Sequence, residues 1–96
     1  MKPEQITETL EQAAAQLGVH VRYETMTGEV AGAGGLCKLK GQWCVIIDRK
    51  VTPAERAATL TEALAQLDTD AVFLPPEIRD ALAAARAART GIAASP

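Results

Sequence analysis

Cys37, Cys44 and His20 are the side chains of this 96-residue chain best suited to redox, nucleophilic or metal chemistry. The cysteines flank Lys40-Gly41, and a two-residue turn there sets Cys37 directly opposite Cys44 on one face of a hairpin. Two adjacent thiols form a redox pair or half of a zinc site. The sequence completes neither: CxxC spacing is absent, and a four-ligand zinc site needs two further donors, which the single histidine cannot supply. A second copy donating two more thiols would close such a site; otherwise the cysteines are small, soft side chains packed under the hairpin. His20 alternates with Val19 and Val21, on the polar side of a strand, with no nucleophile or orienting carboxylate marked out for it. No catalytic residue, cofactor or metal is therefore assigned.

Two charged stripes are the next candidates. Glu4, Glu8 and Glu11 recur at helical spacing near one end of the chain, and Arg79, Arg86 and Arg89 near the other. Each reads as a solvated helix face, or as one of two complementary stripes that meet within the chain or between copies. Gly32-Ala33-Gly34-Gly35 has the composition of a phosphate loop, but it leads into a strand, whereas a phosphate cradle opens onto a helix N-terminus. Its glycines instead permit close backbone packing or positive φ.

The elements that must position these residues follow from periodicity. Residues 3–17 read as a helix, opened by Pro3 and stopped by Gly18, with Ile6, Leu10, Ala13, Ala14 and Leu17 on its apolar side. Val19, Val21 and Tyr23 then alternate with His20, Arg22 and Glu24, the period of a half-buried strand. Residues 25–35 form a glycine-rich loop, with a few extended residues at 29–31. In the hairpin, Cys37, Leu39, Cys44 and Ile46 share one face, while Leu36, Lys38, Trp43, Val45 and Ile47 share the other, with the Lys38 stem along the Trp43 indole. Both faces of the second hairpin strand are apolar, so helices or another subunit must cover it on both sides.

Thr52-Pro53-Ala54-Glu55 is a capping box and opens a second helix, whose stripe of Ala57, Leu60, Leu64, Leu67 and Ala71 is ended by residues 68–70. Val72-Phe73-Leu74 is an apolar connector. Pro75-Pro76-Glu77 opens a third helix with Ile78, Leu82 and Ala85 inward, and residues 90–96 read as a flexible C-terminal tail. The expectation is one α+β domain over residues 1–89, in the order α-β-β-β-α-α, with a small antiparallel three-stranded sheet packed on helices.

With 48% hydrophobic and 23% charged residues the chain is not disordered, and its core must be aliphatic because it holds one Trp, one Tyr and one Phe. Net charge is −2 with scattered Lys and Arg, which argues against nucleic acid as a partner. The apolar runs are too short for a membrane span or a signal-peptide core, so the reading is cytoplasmic, with reduced thiols.

Gly34-Gly35-Leu36-Cys37, Ile47-Asp48-Arg49 and Leu74-Pro75-Pro76-Glu77-Ile78-Arg79 resemble a group of small uncharacterised bacterial proteins with a Gly-Gly-x-Cys hairpin and a Leu-Pro-Pro-x-Ile-Arg element. That resemblance implies a bacterial source and no activity. The helix, small sheet and following helix also look like the core of ImmA/IrrE-type zinc metallopeptidases, whose second helix carries His-Glu-x-x-His. The corresponding positions here read Thr61-Glu62-Ala63-Leu64-Ala65, so only Glu62 matches and both zinc ligands are missing. Glu62 lies opposite the Leu60, Leu64 and Leu67 stripe and points to water, where it cannot act on a metal-bound water.

These readings converge on a small cytoplasmic bacterial protein without catalytic activity. It acts through protein contacts and self-associates as a homodimer, with Leu36, Trp43, Val45 and Ile47 as candidate interface. The competing classes are a thiol-redox module using Cys37 and Cys44, and a catalytically dead zincin-like peptide-binding domain.

Overall fold

Pro3 in the first turn and Gly18 just past the last bracket helix α1 (Pro3–Gln16) in the computed structural model, which describes residues 1–25 and 34–94. Gly18 takes φ +75°, which lets the chain leave the helix and enter strand β1 (His20–Glu24) at once. The loop expected over 25–35 lies mostly outside the described residues; Gly34 and Gly35 belong to the next strand.

Strands β2 (Gly34–Leu39) and β3 (Gln42–Asp48) form the expected hairpin, with Cys37 opposite Cys44 and Lys38 opposite Trp43. Lys40 and Gly41 both have positive φ, the geometry of a type I′ turn, whose twist matches that of the strands. At the other end of β2, Gly34 has φ +123°, and a Cβ there would fall 1.8 Å from the Ile46 carbonyl oxygen. Glycine is therefore required where β2 begins.

The sheet order is β1-β3-β2, and β1 runs parallel to β3, with His20 beside Cys44 and Tyr23 beside Ile47. The sheet is mixed, not antiparallel throughout as the alternation patterns led us to expect. Alternation fixes which face a side chain takes but carries no sign of strand direction. β3 is apolar on both faces because it is the central strand.

Helix α2 (Pro53–Leu64) begins at the capping box: Glu55 N–H donates to Thr52 Oγ1 at 3.1 Å and Thr52 N–H to Glu55 Oε1 at 2.9 Å. The helix ends at Leu64, short of the expected stop at 68–70. The reason is tertiary: Arg86 donates to the carbonyls of Ala65 at 3.0 Å and Leu67 at 2.8 Å and to Thr69 Oγ1 at 3.0 Å, holding this segment as a turn. Leu67 still packs against the core from that turn. Helix α3 (Pro76–Ala94) continues into the segment read as a tail, through Thr90 and Gly91 to Ala94.

Leu10, Leu60, Leu64, Ile78 and Leu82 from the helices meet Val45 and Ile47 from β3 in one aliphatic core, with Val21, Tyr23 and Leu36 at its border. Helices α1 and α2 thus lie on one face of the sheet. The three helices and three strands among the described residues, in the order α-β-β-β-α-α, make an α+β fold.

Candidate functional site

Cys37, Cys44 and His20 occupy one row across the sheet, on the face turned away from α1 and α2. Both thiols are free; Cys44 is buried and its Sγ donates to the Gln42 carbonyl at 3.6 Å, whereas Cys37 is half-buried and His20 exposed. The register puts them side by side, but among the described residues no group of three or more His, Cys, Asp or Glu side chains is placed to hold a metal ion. Lys38 Nζ sits 5.1 Å from the Trp43 ring centre, as the cross-strand pairing requires.

Three of the four candidate interface residues are elsewhere than expected. Val45 and Ile47 are fully buried and Leu36 borders the same core, so these residues serve the chain's own packing. The alternation had grouped them correctly; it could not say which face the helices would take. Trp43 alone of the four is exposed, at 39%, because it sits at the hairpin tip. On the opposite face Leu39 is 43% exposed and Ile46 half-buried.

A second constellation lies in a cleft of about 410 Å³ between α1, β1 and α2. Its floor is Tyr23, whose hydroxyl donates to the Glu11 carboxylate and whose ring carries the Arg56 guanidinium 5.0 Å above its centre. Burial, reinforced by the bond to Glu11 and the carboxylate charge, pushes the Tyr23 phenol up to about 12; Arg56 pulls weakly the other way. Glu4, Glu8 and Thr7 complete the wall. Thr7 is almost fully buried, and neither its Oγ1 nor the Nε of Arg56 has a hydrogen-bond partner among the described residues.

The acidic stripe of α1 therefore lines this cleft. It does not meet the basic stripe of α3: the salt bridges among the described residues join the N-terminal amine to Glu77 and Arg22 to Glu24. Arg86 is engaged by its three acceptors at the end of α2, beside a larger and more open hollow of about 670 Å³. Phe73, 88% exposed between buried Val72 and Leu74, forms part of that rim.

Glu62 is exposed on α2, as its place opposite the leucine stripe implied. Comparison of the chain with protein families, with curated proteins and with solved structures finds no match. The cleft itself escaped the sequence reading because its members come from three elements. The available signal was Thr7, a polar residue three positions after Glu4 and four before Glu11, on the side of α1 that turns inward.

Proposed function

We propose that this domain works without catalysis, through protein contacts, and that its partner is a second copy meeting the sheet face that carries Cys37, Leu39 and Ile46. The supporting observation is the exposure of Leu39 beside half-buried Cys37 and Ile46, on the side away from α1 and α2. That face is divided by charge. β1 contributes His20, Arg22 and Glu24, whereas the hairpin half carries Cys37, Leu39, Cys44 and Ile46, with Gln42 opposite Leu39 and Asp48 beside Glu24 at its ends. Two copies related by a two-fold axis over the hairpin would set apolar surface on apolar surface and leave the charged strip at the rim.

Size sets the strength. Strands of this length, roughly 4.8 Å apart with about 3.3 Å per residue, cover only about 300 Å² on one face. A stable complex buries about 800 Å² per partner, so this association is transient, with a dissociation constant on the order of 100 µM or weaker. Sedimentation equilibrium up to about 1 mM protein is the test. A reversible dimer that Leu39→Glu reduces to monomer is expected; monomer throughout would refute the reading. A thiol-redox role is the second reading, supported by the Cys37–Cys44 register alone.

A further inference from the structure

The cleft between α1, β1 and α2 holds more hydrogen-bonding capacity than the described residues use. Thr7 is 8% exposed and lines the cleft, and neither its Oγ1 nor the buried Nε of the Arg56 guanidinium that shares the cleft has a hydrogen-bond partner among the described residues. Orphaned buried donors are uncommon in native proteins and call for an account. Three carboxylates stand around them. Glu11 is taken by the Tyr23 hydroxyl, while Glu4, Glu8 and Arg56 form no salt bridge among the described residues.

Charge matching then selects a ligand class. A phosphate or other dianion would satisfy Arg56 but face the carboxylates of Glu4, Glu8 and Glu11. A simple amine would satisfy carboxylates and leave Arg56 and Thr7 unpaired. Two carboxylates and one guanidinium with no ion-pair partner among the described residues match a molecule with two cationic groups and one carboxylate. We propose that this cleft binds a free basic amino acid of the lysine or arginine type, its carboxylate on Arg56 and Thr7 and its two cationic groups on Glu8 and Glu4.

Thr7 donates its hydroxyl to the ligand carboxylate, and Arg56 adds charge-assisted N–H donors. The Tyr23 ring, anchored through its hydroxyl to Glu11, supports the guanidinium plane from below. Thr7 stands between Glu4 and Glu11 at helical spacing, so a single helix presents both the hydroxyl and the carboxylates. A volume of about 410 Å³ admits an amino acid of this size. The site is separate from the sheet face and does not depend on self-association.

Amide NMR spectra of the isotope-labelled full chain, dialysed free of amino acids and titrated with L-lysine in about 0.1 M NaCl, decide the matter. Saturable shifts confined to α1, β1 and the start of α2 are expected, half-complete near about 1 mM, as suits a ligand of few atoms. L-lysine methyl ester, which lacks the carboxylate, and acetate, which lacks the cations, are each expected to bind at least about five-fold more weakly. Glu8→Gln, a change at an exposed side chain, and Arg56→Lys are each expected to weaken L-lysine by about five-fold or more, whereas Glu62→Gln on the outer side of α2 leaves it unchanged. Shifts that do not saturate, a methyl ester or acetate that binds as well as lysine, or an unchanged affinity in Glu8→Gln would each overturn the proposal.

Discussion

On the helix side of β3, Val45 and Ile47 are fully buried, whereas Ile46, between them in sequence and on the opposite side, is only half-buried. All three are β-branched residues of one central strand, so neither propensity nor composition distinguishes them. What separates them is the pleat, which sends alternate side chains to opposite faces, together with the docking of α1 and α2 on one face. An apolar strand can thus supply a core with one half of its side chains and a surface with the other.

The sharpest way to break that comparison is to truncate both sides. Ile47→Ala is expected to cost about 3–4 kcal/mol in urea unfolding and Ile46→Ala only about 1 kcal/mol. Equal losses would mean that the second face is covered as closely as the first, and the contact surface proposed there would lose its basis.

Next in size is the joint between α2 and α3. Arg86→Ala removes three hydrogen bonds from the turn after α2, and an expected loss of about 2 kcal/mol in the same assay would confirm that the turn depends on them. Thr52→Ala at the start of α2 should cost about 1 kcal/mol through its cap, against less than about 0.5 kcal/mol for Glu62→Ala on the solvent side. A larger loss at Glu62 would show it to be paired and would reopen the zincin-like reading.

A separate test lies in alkali. The Tyr23 phenol titrates from an ordinary value of 10.0 in the unfolded chain to about 12 in the folded one, so the unfolded form releases its proton first. Stability from this group is therefore complete below pH 10 and declines as pH rises toward 12, with phenolate absorbance of the native protein appearing late. A native titration near the ordinary value would place Tyr23 in water and remove the floor of the cleft.

The local elements were legible where chemistry is local. Pro3 and Gly18 bracket α1, Lys40-Gly41 sets the hairpin register, and Thr52-Pro53-Ala54-Glu55 starts α2, because each acts through backbone geometry within four or five residues. The end of α2 was not legible, since it depends on Arg86, more than a turn into another helix. Of the cleft only the acidic stripe on α1 was legible, because Tyr23 and Arg56 reach it only when β1 and α2 pack beside that helix.

The sequence by itself determined the order α-β-β-β-α-α, the pairing of Cys37 with Cys44 and the two sets of hairpin side chains, since period and turn type depend only on neighbours along the chain. Only the tertiary structure decided that β1 would lie parallel to β3, that Val45 and Ile47 would face the helices, and that Arg56 would come to rest on Tyr23 in the cleft lined by Thr7. Those outcomes depend on which surfaces bury the most apolar area together, a property of the whole packed domain that no single segment carries.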